Sequence, residues 1–382
     1  MRTLLLLTLG ILLPTGGPCT AQFPELKVRQ GTNCQLRVDE NDRVVVATFR
    51  AGAGKLRTTG LNRFRHLEMV DVDYYTDLNK DDIDYLSTLR QITELKLGQA
   101  AGGAECVTID GDLTKLSQLT RLEWLELCKK GMKDEDLAFI AKLPRIKGVV
   151  IEATKELTEG KRPAITDKCA EYLRVAKTLE SIDIVGGAAL TDRFVSRIAS
   201  LPRLEMLRFN HDVDKLTDKS LGLLALRTKK LTWLDVRSKQ FTDKGVRLLS
   251  NMTKLEILWL ASPKLTSECV SSIKSLKRLR HLELTPASVD DAGFKVIAEL
   301  PKLEILAFRK PALTDEQFAM FANHPSLQSA FLNGSKLSPE NAMDVIHSLP
   351  KLQHISFGGN EQLQKLAEKE LTHRKKLLRP TH

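Results

Sequence analysis

The sequence predicts an α/β solenoid, a curved arc whose short parallel strands line an inner, concave wall while helices cover the convex outside. Three observations predict it. A phrase of the form Leu-x-x-Leu-x-Leu returns along most of the chain, and a second phrase, Leu-Thr-Asp, returns between its copies. The composition agrees, with 42% hydrophobic residues dominated by Leu and only 5% aromatic, as expected of a core built from many similar layers.

The strand phrase is clearest at Leu122-Glu-Trp-Leu125-Glu-Leu127, Leu204-Glu-Met-Leu207-Arg-Phe209, Leu255-Glu-Ile-Leu258-Trp-Leu260, Leu279-Arg-His-Leu282-Glu-Leu284 and Leu303-Glu-Ile-Leu306-Ala-Phe308. Looser copies begin at Val44, Leu67, Ile92, Ile146, Leu179, Leu231, Leu327 and Leu352, which makes thirteen strand positions. From Leu231 onward the period is 24 or 25 residues; earlier it stretches to 30 and 33, so two repeats carry inserted loops, near Ala101 to Cys106 and Thr154 to Pro163.

The second phrase reads Leu190-Thr-Asp, Leu216-Thr-Asp, Phe241-Thr-Asp and Leu313-Thr-Asp, each followed by apolar residues at helical spacing. Thr or Asp before such a run is a helix N-cap, because a side-chain oxygen accepts an orphan backbone N–H of the first turn. One strand–helix repeat cannot bury its Leu face alone, so the repeats must stack. Strands pack about 4.8 Å apart and helices about 10 Å apart, so the stack curves with its strands inside.

These phrases resemble the leucine-rich-repeat family, in its cysteine-containing or ribonuclease-inhibitor-like class, which includes F-box substrate receptors and many exported bacterial proteins. The resemblance covers about residues 44–357 and implies a non-enzymatic protein-interaction scaffold. An F-box receptor is the rival within that family, but it needs a helical module before the repeats, and residues 22–43 are too short for one. A carbohydrate or cell-wall binder using Trp faces is a further alternative.

The ends read differently from the array. Residues 1–21 form a signal peptide: Arg2 is the positive segment, Leu4 to Leu13 the apolar one, and Cys19-Thr20-Ala21 the cleavage site. The expected location is therefore secreted, periplasmic or cell-envelope, and the apolar stretch is shorter than the roughly 20 residues a membrane-spanning helix needs. Residues 22–43 read as an N-terminal cap built on an edge hairpin, and residues 358–382 as a capping helix on Leu363, Leu366 and Leu371 with a basic tail.

The formal charge is +10, from 58 basic and 48 acidic residues. With export expected, the partner is read as a protein or peptide rather than nucleic acid, and the chain as a monomer. Six cysteines stand at 19, 34, 106, 128, 169 and 269 without CxxC spacing. They read mostly as small buried hydrophobes, with Cys34 and Cys106 as candidates for a pair and Cys128, beside Lys129 and Lys130, as a plain thiol.

Catalytic and metal motifs do not hold up. Gly52-Ala-Gly54-Lys55 is similar to a phosphate loop, but Phe49 replaces its first Gly and Leu56 its Ser or Thr. Asp77-Leu-Asn79-Lys-Asp81 is similar to the start of an EF-hand, but Asp82 replaces the turn Gly and Thr88 the bidentate Glu, so a helix cap explains it better; Asp71, Asp73 and Asp84 leave a weak cation site. No cofactor, metal site or catalytic set is expected. Two sequons, Asn251-Met-Thr253 and Asn333-Gly-Ser335, are short enough to be accidental.

Binding is expected on the inner wall. The residues flanking the middle Leu of each phrase point away from the core, because side chains alternate along a strand. All three Trp occupy such positions, Trp124, Trp233 and Trp259, and the expected partner-binding set adds Met206, Arg208, Asp235, Ile257, His281, Ile305 and Phe331. The competing reading of these side chains is that they stack on one another along the ladder.

Overall fold

The computed structural model describes residues 27–30, 35–49, 60–72, 77–98, 106–153, 165–186, 188–286 and 288–377. The signal peptide, Cys34, Asp73, the Gly52–Lys55 segment, most of both inserted loops and the end of the basic tail lie outside them. The chain forms two compact units, one ending at His211 and the other starting at Asp212.

The first unit opens with β1 (Lys27–Gln30), β2 (Gln35–Val38) and β3 (Val44–Phe49), joined as antiparallel neighbours. From β3 onward the ladder turns parallel, through β4 (Met69–Val72), β5 (Glu94–Leu97), β6 (Trp124–Lys129), β7 (Gly148–Ala153), β9 (Ser181–Gly186) and β11 (Met206–Asp212). A separate two-stranded piece, β8 (Ile165–Thr166) with β10 (Ala188–Ala189), lies among the loops. The second unit stacks β12 (Trp233–Arg237), β13 (Ile257–Ala261), β14 (His281–Leu284), β15 (Ile305–Ala312), β16 (Ser329–Asn333) and β17 (His354–Gly358), all parallel.

Each of the thirteen phrase positions has become one of these parallel strands. Its second and third Leu face the helices and are sealed: Leu95, Leu97, Leu125, Leu127, Leu258 and Leu260 are all buried. Phe from successive repeats fills the wider spaces, as where Phe194 meets Phe209 and Phe294 meets Phe308 with ring centres 5.8 and 5.9 Å apart.

The Leu-Thr-Asp phrase divides its labour in a way the sequence reading did not separate. Thr191, Thr217, Thr242 and Thr266 cap their own helices, each hydroxyl accepting the backbone N–H two residues on. The Asp reaches across to the next repeat instead. Asp134 accepts the N–H and hydroxyl of Thr166, and Asp167 those of Thr191. In the second unit Asp218 holds Thr242 in the same way, Asp243 holds Thr266, and Asp315 accepts the N–H of Ser338. The carboxylate thereby orients the very hydroxyl that caps the following helix.

Asn79, not Asp81, caps the helix Lys80–Ser87: its side chain accepts the Asp82 N–H while the Asp82 carboxylate accepts the Asn79 N–H. Asp84 pairs with Lys115. The carboxylates of that stretch are thus engaged in folding.

The helix Glu361–Leu377 closes on β17 with Leu363, Ala367 and Leu371 buried, a spacing of four. Leu366, counted as an inward residue from the sequence, is 40% exposed; Ala367 takes that place, one helical turn from both Leu363 and Leu371. Among the described residues no helix is long and apolar enough to cross a membrane.

Asp218→Ala removes two short hydrogen bonds between repeats and leaves the Thr242 N–H without its acceptor. The variant should lose about 1–3 kcal/mol of stability, read as a lower urea midpoint with an unchanged slope.

Candidate functional site

In-register pairing arranges the outward side chains of each unit into rows. In the second unit one row runs Trp233, Ile257, His281, Ile305, Ser329, His354. Its neighbour runs Asp235, Trp259, Glu283, Ala307, Phe331, Ser356. In the first unit the equivalent rows are Met69, Glu94, Trp124, Gly148, Ser181, Met206 and Asp71, Lys96, Glu126, Val150, Asp183, Arg208. The second row of the first unit is therefore mostly charged, whereas both rows of the second unit carry aromatic side chains.

The ladder spacing lets large side chains cover their neighbours, so outward-pointing does not mean exposed. Trp233 is 5% exposed and Phe331 6%, and Met206, Ile257, Asp235 and His281 are buried as well. Trp124, Arg208, Trp259 and Ile305 keep partial access. Trp233 and Trp259 meet edge to face, with ring centres 6.1 Å apart and planes at 66°. Phe331 lies 5.3 Å from the ring of His354.

Trp124 lies across the next strand at Gly148, where an added Cβ would fall 1.7 Å from the indole ring. The glycine is required for that close approach. Gly148→Ala should force the indole off the sheet, seen as red-shifted Trp fluorescence with a lower melting temperature.

Several polar groups on these rows are buried. Asp183 is paired with Arg208 at 2.6 Å, yet burial still raises its carboxyl above the usual range. Lys96 lies 3.3 Å from Glu94 and 3.9 Å from Glu126, and burial raises Glu94 despite that cation. The Trp233 Nε1–H and both ring nitrogens of His281 find no hydrogen-bond partner. Burial lowers His281 to about 4; Glu304, 3.9 Å away, opposes this shift, and Arg280 reinforces it. Arg280 itself grips Glu304 through bonds of 3.0 and 2.8 Å.

The folded state thus prefers neutral His281, whereas the unfolded chain takes up the proton below about 6.5. The stability this group contributes is full above pH 6.5 and is lost as pH falls through 4. Over that window it amounts to roughly 3 kcal/mol. His281→Leu should flatten this acid limb in chemical denaturation measured at pH 7, 5.5 and 4.

The cysteines correct the sequence reading. Cys106 bonds to Cys128, with Cα atoms 4.9 Å apart, so Cys128 is not a plain thiol and Cys106 is not available to Cys34. The β-bridge between Val107 and Lys129 lays the end of the inserted loop along β6 and sets the two cysteines side by side. Cys169 and Cys269 are free and buried, as small hydrophobes at the starts of their helices, and burial pushes the Cys269 thiol up to about 12. Glu152 stands beside the bonded pair, at the register position of Cys128 on the next strand. Aligning the repeats places Cys128 and Glu152 in one column, a signal legible in the sequence; Cys106 sits in an irregular insertion with no periodic signal to place it.

No protein-family model matches the chain. No curated protein matches its sequence either. Solved structures do. The internalin InlF of Listeria monocytogenes matches at 16% identity over 85% of this chain and 90% of its own, with a TM-score of 0.49. TLR13, in its complex with ssRNA13, matches at 16% identity over 82% of this chain and 49% of its own, with a TM-score of 0.46. The Listeria internalin C2 matches at 18% identity over 59% of this chain and 84% of its own, with a TM-score of 0.38. The recurring phrase, the parallel strand at each of its thirteen positions and the capped helices between them give this chain the leucine-rich-repeat fold.

Proposed function

We propose that this chain is an exported, non-enzymatic interaction scaffold that binds a protein or peptide on the sheet face turned away from its helices, centred in the second unit on Trp259. The observation that carries the reading is the Trp233–Trp259 pair: a partly exposed indole braced edge to face by a buried one. An aromatic already held on a strand loses little entropy when a partner covers it, which is what makes such residues interface anchors.

Ile305 is the other accessible apolar member of the surface in that unit. Asp235, Ile257, His281 and Phe331 form the packed floor beneath it. In the first unit Trp124 and Arg208 play the accessible part and Met206 the buried one. Two carboxylates of that unit's face are paired with cations, Asp183 with Arg208 and Glu94 with Lys96, which suits a polar recognition rim better than acid–base chemistry. Export rests on the sequence of residues 1–21, with its single Arg, apolar run and small-residue cleavage site.

The test is retention of partners from the envelope or extracellular fraction on the mature chain, beside the Trp259→Ala variant. Because Trp259 is partly exposed, the variant should stay folded, with a melting temperature lowered only by loss of the edge-to-face contact, and lose the retained protein. A folded variant that retains the same protein equally well overturns the reading. So does retention of a glycan or a nucleic acid in place of any protein.

A further inference from the structure

The strands β6 and β7, with the segment bridged to β6 at Val107, bring together three groups outside the set assigned to the partner. The sulfurs of Cys106 and Cys128 and a carboxylate oxygen of Glu152 all lie within 4.8 Å of one another. Both cysteines are buried, and Glu152 is 8% exposed.

The carboxylate is the informative member. Its Oε2 is sealed from solvent and has no hydrogen-bond partner, and the charged groups acting on it are carboxylates, Glu126 and Asp183. A disulfide has no N–H or O–H to donate, so the bonded pair leaves this oxygen unsatisfied, at a cost an apolar side chain would avoid. The ion pairs elsewhere on the face do not relieve it: Lys129, next in sequence to Cys128, is turned to Asp136 at 3.1 Å. The three groups together offer two sulfurs and one oxygen as donors.

Two thiolates and a carboxylate suit a thiophilic divalent ion, with water as the fourth ligand of a tetrahedron. We propose that the reduced chain holds one zinc-type divalent cation between Cys106, Cys128 and Glu152, and that the disulfide is the metal-free form of the same site. A phosphine reductant opens the S–S bond: its electron pair goes to the sulfurs, two protons from water complete two thiols, and the phosphine leaves as its oxide. Binding the cation then displaces both thiol protons to solvent. The two Cα atoms stand 4.9 Å apart, so opening the S–S bond frees both side chains to turn about their own χ1 bonds. The site is independent of the partner-binding reading, since none of its three residues is among the side chains assigned to the partner.

The experiment is a cobalt(II) titration of the whole mature chain, reduced with a phosphine and desalted without oxygen, followed by thiolate-to-cobalt charge-transfer absorption. The reduced protein should bind one equivalent, the oxidised protein none, and zinc should bleach the band. Cys106→Ser with Cys128→Ser should abolish it, while Cys169 and Cys269 remain in place. Glu152→Gln, whose fold is checked with the disulfide intact, should weaken binding roughly tenfold or more. The proposal falls if the reduced chain binds no cobalt, if the band survives loss of both cysteines, or if Glu152→Gln binds as tightly as the parent.

Discussion

Everything in this chain follows from the inability of one strand–helix repeat to bury its own Leu face. The second and third Leu of each phrase are sealed only because the flanking repeats supply the walls, as at Leu125 and Leu127 between β5 and β7. The polar bonds obey the same rule: Asp134 satisfies Thr166, and Asp218 satisfies Thr242, one repeat on. Apolar burial and helix capping are thus both properties of neighbouring pairs, and each unit's stability is close to a sum over its interfaces.

That constraint also shapes the face opposite the helices. In-register strands about 4.8 Å apart place outward side chains closer than the width of an indole ring. Large residues must therefore lie over their neighbours, as Trp124 does over Gly148 and Trp233 against Trp259. Polar residues caught between them are buried without having moved from outward positions. His281 sits between Ile257 and Ile305 and is depressed to about 4 for this reason. The same crowding raises Asp183 and Glu94, and leaves a few accessible residues, Trp259 foremost, standing above a packed floor.

The disulfide and its neighbouring carboxylate show where a regular array acquires individuality. Cys128 and Glu152 occupy one column of the ladder, and the insertion after β5 ends on a bridge that delivers Cys106 to the same place. A departure from the period is thus what brings in chemistry the repeat does not contain.

By itself the sequence determined the class of fold, the position of each parallel strand of the long ladder from β3 to β17, and which residues point away from the core. Each of these depends on local alternation and a period of about 24 residues, both visible in one dimension. It also placed the Thr caps, whose bonds stay within one helix turn. Only the tertiary structure decided which of the outward residues remain accessible, since that depends on the size of the side chains one repeat away: Trp259 stays partly open and Trp233 does not. Likewise it assigned Asp218, Asp243 and Asp315 to the next repeat, gave Ala367 the place expected of Leu366, and joined Cys106 to Cys128. These are contacts between one repeat and another or between a helix and the strand it closes on, so alternation and helical spacing within a repeat could not settle them and packing did.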